Sequence, residues 1–279
     1  MSSPTALKRV ASDYLTDPLL LIPALLKEAL AGSDTHPDAF VFGLQKAGTT
    51  FAAQLIATAL GTSVTQDLLC ERRWHSLDFS SSDSAETERL IKRNRASFSR
   101  GVVKEPNLWV LSNEIAIRYP ESRLFVLRRE PEDNVRSLLD RFCEHDDDPE
   151  RFPRQRITRS WRRTVEVGCD GPLPRQVDLV GAFARLWTMV DSALDRIESG
   201  YPERTISLKY DSLTTPPEGL SAAEAARWQK ALIALEGAEL QPRGRGRGRT
   251  LEQAYGEAVA RKVRSVVADR MHGSTEVTR

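Results

Sequence analysis

The segment Phe40-Val-Phe-Gly43-Leu-Gln-Lys46-Ala-Gly48-Thr49-Thr50-Phe51 decides the fold of this chain. Apolar residues typical of a buried strand lead into a turn that contains Gly43 and Gly48, and an amphipathic helical pattern begins at Thr49. The first N–H groups of a helix have no partner inside the helix, and the helix dipole adds partial positive charge there. A strand, a glycine turn and a helix start in this order therefore predict a loop that binds phosphate or sulfate.

The lysine of this loop does not stand where nucleoside-triphosphate loops place it. In the motif GxxxxGK[ST], the lysine directly follows the second glycine and reaches the β and γ phosphates. Gly43 and Gly48 have this spacing, but Thr49 occupies the lysine position and Lys46 lies three residues earlier. A lysine inside the turn suits a shorter anionic group, and Asp211 is the nearest candidate for holding Mg²⁺. The pattern therefore disfavours a metal-assisted triphosphate site.

Short apolar runs alternate with helical patterns along the chain, which predicts an α/β fold with a P-loop-type central parallel sheet flanked by helices on both faces. The predicted strands are Ala39–Phe42, Ser63–Thr65, Val102–Val103, Leu124–Leu127 and Thr205–Lys209, and the predicted helices are Thr49–Leu60, Leu108–Arg118, Asp133–Glu144 and Leu179–Ser199. Capping-box patterns predict two later helix starts, at Ser221 with Glu224 and at Thr250 with Gln253.

The chain length of 279 residues suits one α/β domain, and we predict a single domain over residues 1–279. Residues 144–177 interrupt the pattern, because five acidic residues precede six arginines there and prolines recur. A long irregular segment inside a compact domain is usually functional or mobile. We therefore interpret residues 144–177 as an irregular, lid-like segment over a binding site.

Composition excludes several classes of protein. A net charge of +1 gives no global attraction to nucleic acid or to anionic membranes. Cys70, Cys143 and Cys169 are widely spaced and odd in number, which excludes a disulfide framework and a CxxC-type zinc site. The longest apolar run, Leu19–Leu26, is far shorter than the about 20 residues that span a bilayer. We expect a cytoplasmic protein with no membrane span and no nucleic-acid partner.

The loop Gly43-x-x-Lys46-x-Gly48-Thr49-Thr50 resembles the 5′-phosphosulfate loop of the PAPS-dependent sulfotransferases, where PAPS is 3′-phosphoadenosine 5′-phosphosulfate. The resemblance implies transfer of a sulfuryl group from PAPS to a hydroxyl of a small-molecule or carbohydrate-like acceptor, release of PAP, and no metal. In the cytosolic branch an aromatic residue follows the two threonines and stacks on adenine. Phe51 matches that position, although a core phenylalanine in the first helical turn is an equal alternative. The donor contacts implied by the resemblance are Lys46, Ala47, Gly48, Thr49, Thr50 and Phe51.

The family also binds the 3′-phosphate of its donor, through an arginine and a serine eight residues apart. Arg129 closes a predicted strand, Pro131 suits the first turn of a helix, and Ser137 lies eight residues after Arg129. A guanidinium makes forked, charge-assisted contacts to phosphate. Arg128 is the alternative, but its spacing to Ser137 is nine, so the resemblance favours Arg129.

The catalytic base differs from that of the cytosolic branch, which has a histidine two residues after the lysine of the third strand. This chain has Lys104-x-Pro106 there, and proline cannot titrate. It is therefore more similar to the carbohydrate (Golgi-type) and bacterial branch, which takes its base from a glutamate after the second strand. By this resemblance Glu71 is the predicted base, His75 is the alternative because histidine titrates near neutrality, and Lys104 helps hold the transferring group.

The late run Arg243-Gly-Arg245-Gly-Arg247-Gly-Arg249 has three interpretations. It matches the place of the family's basic loop over the 3′-phosphate, it is similar to Arg-Gly segments that bind RNA, and it is also typical of solvated charge. Upstream, Leu208-Lys-Tyr210-Asp211-Ser-Leu213 is similar to the Tyr-Glu-x-Leu strand end of these enzymes.

Two other functions stay open at this point, a P-loop kinase that uses ATP and a non-catalytic nucleotide- or RNA-binding module.

Overall fold

The computed structural model describes residues 36–66, 68, 84–95, 97–99, 101–144, 147–236 and 248–273. The strands of the central sheet are β1 Ala39–Phe42, β2 Val64–Gln66, β3 Val102–Lys104, β4 Arg123–Arg128 and, after two short strands outside the sheet, β7 Thr205–Lys209. Within these described ranges the sheet has five strands in the order β2-β3-β1-β4-β7, and all of its pairs are parallel. The predicted α/β fold with a parallel sheet is confirmed.

Strand β1 lies at the centre of the sheet because all four of its residues are apolar and buried. Its side chains alternate between the two faces, as in any strand. Phe40 and Phe42 pack into one core cluster, whereas Ala39 and Val41 pack into the other. Both faces of the sheet are therefore covered.

The helices divide between the two faces. The face of Ala39 and Val41 carries α1 Thr49–Leu60 and α7 Ala222–Glu236, whose Trp228 is fully buried and donates its Nε1–H to Leu213 O at 3.2 Å. The opposite face is covered by α3 Ser112–Arg118, α4 Pro131–Phe142 and α6 Leu179–Gly200. Three further helices are α2 Ser84–Arg93, which packs near α3, and α8 Leu251–Tyr255 and α9 Glu257–Gly273, which pack outside α4 and α6.

The described residues 147–177 of the segment predicted to be irregular contain regular elements. Strands β5 Phe152–Pro153 and β6 Gln176–Val177 pair antiparallel, and α5 Arg159–Gly168 lies between them. The segment folds because single apolar side chains, widely spaced among charges and prolines, are buried against α4 and α6. These side chains are Phe152, Ile157, Val165, Leu173 and Val177. The sequence did not predict these buried positions, because no regular spacing of apolar residues marks them among the charged residues and prolines.

The strand positions and both capping-box helix starts agree closely with the sequence predictions, whereas the predicted helix Leu108–Arg118 begins as a 3-10 turn over Leu108–Leu111 and becomes α3 at Ser112. Ser221 and Glu224 exchange backbone and side-chain hydrogen bonds at 2.8 and 3.3 Å, and Thr250 forms a capping box with Gln253. Helix α4 begins at Pro131, two residues before the predicted start, because a proline fits the first helical position. Within the described ranges, no helix combines the length and the apolar character that a membrane crossing requires.

Candidate functional site

The glycine turn after β1 lies at the C-terminal edge of the sheet and approaches its neighbours closely. A Cβ atom at Gly43 would lie 2.8 Å from the carbonyl oxygen of Leu127, and one at Gly48 would lie 2.6 Å from the ring of Tyr210. Gly48 has a φ of 92°, and Lys46 has a φ of 68° although it is not a glycine. Both residues lie in the left-handed region, so the turn is tightly wound.

The start of α1 supplies the positive end of a helix to this turn. Thr49 and Thr50 are its first two residues, and its first turn carries no acidic residue. The N–H of Ala52 donates to Gly48 O at 3.0 Å, which closes the first helical turn, whereas the N–H of Ala47 donates to Leu44 O at 3.1 Å inside the loop. N–H groups at such a helix start favour an anion.

Side chains from other elements hold the backbone of this loop. Arg129 Nη1 donates to the carbonyl oxygen of Lys46 at 2.9 Å, and Asn134 Nδ2 donates to the carbonyl oxygen of Gln45 at 3.1 Å. Gln45 Nε2 in turn donates to Asn107 Oδ1 at 2.6 Å. The loop is therefore fastened to the β4–α4 connection on one side and to the residues after β3 on the other.

Arg129 is the first residue after β4, and its side chain turns toward the glycine loop. Besides its hydrogen bond to Lys46, its guanidinium lies 4.2 Å from the centroid of the Tyr210 ring. Its own carbonyl oxygen accepts a hydrogen bond from Trp187 Nε1 at 3.0 Å. Arg129, Tyr210 and the Lys46–Gly48 turn thus form one cluster at the C-terminal strand ends, where open α/β sheets bind their ligands.

Arg128 has a different set of partners. Its three guanidinium nitrogens donate to Asp191 at 2.9 Å, Asp195 at 2.7 Å and Glu198 at 2.7 Å, all on α6. Burial alone would lower the pKa of Arg128, but the hydrogen bonds to Glu198 and Asp191 outweigh burial and raise it. Because carboxylates already occupy this guanidinium, the geometry favours Arg129 over Arg128 as the residue for a phosphate.

Three other predicted site residues lie on elements that adjoin this cluster. Lys104 is the last residue of β3, is 3% exposed and pairs in register with Val41 of β1. Ser137 lies on α4, about two turns beyond Pro131, and is half-buried. Phe51 lies in the first turn of α1 and packs in part against the core on that face, so its contact with adenine stays a prediction.

Several predicted residues lie outside the described ranges. They are the predicted base Glu71, the alternative His75, and Arg243, Arg245 and Arg247 of the late basic run. Arg249, at the end of that run, is exposed just before α8. The roles of all these residues stay predictions.

Comparison with known proteins finds structural similarity but no sequence match. The sequence matches no protein-family model and no curated protein. Among solved structures, the chain is similar to the crystal structure of a sulfotransferase from Alicyclobacillus acidocaldarius, with 12% sequence identity and a TM-score of 0.38. The similarity covers 84% of this chain and 96% of that chain.

Three residues of the cluster were not predicted from the sequence to belong to the site, and they differ in whether a sequence feature could have indicated them. Tyr210 had a signal, because it directly follows the last strand of the sheet in a segment similar to a family motif. Asn134 also had one, because it is a polar residue at a buried position between Arg129 and Ser137. Trp187 had none, because it is one of many apolar residues on α6.

Positive charge at this cluster comes from two parts of the chain. The start of α1 at Thr49 carries the partial positive charge of the helix dipole, and the guanidinium of Arg129 lies 2.9 Å from the carbonyl oxygen of Lys46. Among the residues that the structure describes, no group of three or more His, Cys, Asp or Glu side chains is arranged to hold a metal ion. A cluster with these charges favours an anionic ligand.

Proposed function

We propose that this chain is a PAPS-dependent sulfotransferase, which moves a sulfuryl group from PAPS to a hydroxyl of a small-molecule or carbohydrate-like acceptor and releases PAP. The observation that carries the proposal is the 2.9 Å hydrogen bond from Arg129 Nη1 to the carbonyl oxygen of Lys46. This bond brings the cation of the predicted 3′-phosphate site beside the predicted 5′-phosphosulfate loop. A nucleotide with phosphates on opposite edges of its ribose requires two such neighbouring anion sites.

The proposed residues act by position and charge. In the reaction a bond forms between the acceptor oxygen and sulfur, and the bond between sulfur and the 5′-phosphate oxygen breaks. Lys46 and the N–H groups at the start of α1 offset the negative charge that the departing phosphate gains. Lys104, buried at the end of the neighbouring strand, supports the transferring group. Arg129 and Ser137 hold the 3′-phosphate, which fixes the donor for in-line transfer.

Glu71 is the proposed base that takes the proton of the acceptor hydroxyl, and His75 is the alternative. We expect Glu71→Gln to lower turnover at least about a hundredfold, in line with the usual size of general-base catalysis, and to leave PAP affinity unchanged. Turnover is measured with labelled PAPS and PAP affinity by calorimetry. A fully active Glu71→Gln enzyme would transfer the role to His75, which His75→Ala then tests.

Ligand-dependent melting tests the donor class. At a PAP concentration of 100 times its Kd, stabilisation should be about 2.7 kcal/mol, which corresponds to a Tm rise of roughly 5–10 °C for a chain of this size. We expect this rise to disappear in Lys46→Ala and Arg129→Ala and to persist in Lys230→Ala, which removes an exposed lysine of α7.

A larger rise in Tm with ADP and Mg²⁺ than with PAP would instead indicate a P-loop kinase. Salt-sensitive RNA binding that survives Lys46→Ala, with no PAP response, would indicate a binding module.

A further inference from the structure

Two consecutive carbonyl groups of the glycine loop are held by side chains of α4 and of the residue that follows β4. Asn134 donates to the carbonyl of Gln45, and Arg129 donates to the carbonyl of Lys46. In a trans peptide the C=O and N–H groups point in opposite directions. Holding the carbonyl of Gln45 against α4 therefore turns the N–H of Lys46 away from α4, so these bonds determine how the loop faces an anion.

The backbone of Lys46 needs this support. Its φ of 68° lies in the left-handed region, which residues with a Cβ seldom adopt. Such a conformation persists where the surrounding structure over-determines it. Asn134 and Arg129 hold the loop from one side, and the 2.6 Å bond from Gln45 to Asn107 holds it from the other.

Asparagine at position 134 lowers the stability of the fold, because it buries a polar atom that has no hydrogen-bond partner among the described residues. Its side chain is fully buried, at 0% exposure, in the first turns of α4. Within the described part of the chain, its Oδ1 atom is buried without a hydrogen-bond partner, so only Nδ2 is satisfied. A leucine has the same branching at Cγ with larger terminal groups, and it would bury no unsatisfied oxygen. Packing therefore does not account for asparagine here, whereas the bond to Gln45 does.

Asn134 also connects the two proposed anion sites. It lies between Arg129 and Ser137 on the strand–helix unit proposed to hold the 3′-phosphate, and its Nδ2 reaches the loop proposed to hold the 5′-phosphosulfate. We propose that Asn134 is a positioning residue that sets the orientation of the Lys46 loop toward the 5′ group of the donor. This inference rests on the proposed function.

The test uses ligands that carry one phosphate or both. The probes are PAP, 5′-AMP and 3′-AMP, and the variant is Asn134→Leu in the full chain. We expect Asn134→Leu to weaken PAP and 5′-AMP about tenfold, the size of one lost hydrogen bond near a charged ligand, and to change 3′-AMP affinity less than twofold. Asn134→Ala, which avoids overpacking, should show the same order of effects.

The matched control is Asn94→Leu. Asn94 is also fully buried, and its Nδ2 also donates to a backbone carbonyl, that of Leu90 at 2.9 Å, but it lies at the end of α2 outside the loop cluster. This control reports what a buried amide contributes to stability alone, so its affinity for all three probes should equal that of the wild type. If Asn134→Leu weakens 3′-AMP as much as 5′-AMP, or binds all three as Asn94→Leu does, the positioning role is wrong. If the wild type binds no PAP, the proposed function itself fails and the positioning role fails with it.

Discussion

Gly48 shows how strongly one residue constrains the loop. It has a φ of 92°, and the ring of Tyr210 occupies the space that a Cβ would fill, at 2.6 Å. Gly61 caps the other end of the same helix with a φ of 71°, but no atom lies within 4 Å of its Cβ position. The two glycines therefore share a left-handed backbone and differ in their surroundings.

We expect Gly48→Ala to be much more harmful than Gly61→Ala. At Gly61 the substitution costs only backbone strain, about 1 kcal/mol. At Gly48 it adds the displacement of Tyr210, so the loss in the free energy of unfolding should reach roughly 2–4 kcal/mol. Urea unfolding measures the free energy of unfolding of both variants, and the PAP-dependent rise in Tm measures whether the loop still binds the ligand. Equal losses for the two variants would contradict the close packing of Tyr210 on Gly48.

Arg128 and Arg129 are adjacent in the sequence and have separate partners in the structure. Successive side chains of a strand point to opposite faces. At the end of β4 this alternation directs Arg128 to the carboxylates of α6 and Arg129 to the glycine loop. The one-residue difference in spacing to Ser137 thus corresponds to a physical difference between the two guanidinium groups.

At the scale of elements, α6 holds the end of β4 through a stripe of side chains. Trp187, Asp191, Asp195 and Glu198 follow one another at helical spacing, so they lie on the same side of α6. Trp187 bonds the carbonyl of Arg129, and the three acids bond Arg128. A single helix face therefore fixes the strand end that leads into Arg129, the residue proposed to hold the 3′-phosphate.

We expect Arg128→Met to lower the free energy of unfolding by roughly 1–3 kcal/mol, because it leaves partly buried carboxylates without their cation. The matched control is Arg261→Met, which removes an exposed pair with Glu257 on α9 and should change stability by at most about 0.5 kcal/mol. Both are measured by urea unfolding at pH 7. A loss for Arg128→Met no larger than that of the control would show that the α6 stripe contributes nothing.

The difference in unfolding free energy between the wild type and Arg128→Met should depend on pH, because Glu198 is one of the partners of Arg128. Burial alone would raise its pKa, but hydrogen bonds from Arg128 and Ser207 outweigh burial and lower the pKa below its ordinary value of 4.5. A carboxylate with a lowered folded-state pKa stabilises the fold above its ordinary pKa, and this stabilisation is lost as pH falls through the lowered value. The difference between wild type and Arg128→Met should therefore be full at pH 7 and shrink below about pH 4.5.

At the scale of the whole molecule, the C-terminal helices fasten the residue 144–177 segment and α4 to the body. Lys262 of α9 reaches Glu150 of that segment at 2.5 Å and Asp178, the N-cap of α6, at 3.0 Å. Nearby, Tyr255 donates to Asp140 of α4 at 2.9 Å. The last helices thus support both α4, which carries Ser137 of the proposed 3′-phosphate site, and the segment interpreted from the sequence as lid-like.

We expect Lys262→Met to loosen the segment without unfolding the protein. It removes the cation shared by Glu150 and Asp178, so amide hydrogen exchange in residues 148–178 should accelerate several-fold, whereas exchange in β1 and β4 should be unchanged. Lys230→Met, on the opposite face of the sheet, is the control and should leave residues 148–178 unchanged. Exchange that is equally fast in both variants would show that the segment does not depend on Lys262.

The sequence by itself determined the features that depend on near neighbours in the chain. The glycine loop, the buried strands, the helices after them and the two capping boxes are set by hydrophobic period and by residues three or four positions apart, so they could be read directly. Only the tertiary structure decided which residues that are distant in the chain contact one another. Asn134 and Gln45 are 89 residues apart, Trp187 and Arg129 are 58 apart, and the residues near each of them in the chain do not indicate which partner it contacts. The structure of residues 147–177 could not be predicted for the same reason, because their apolar side chains are too widely spaced to form a pattern and are buried only against α4 and α6.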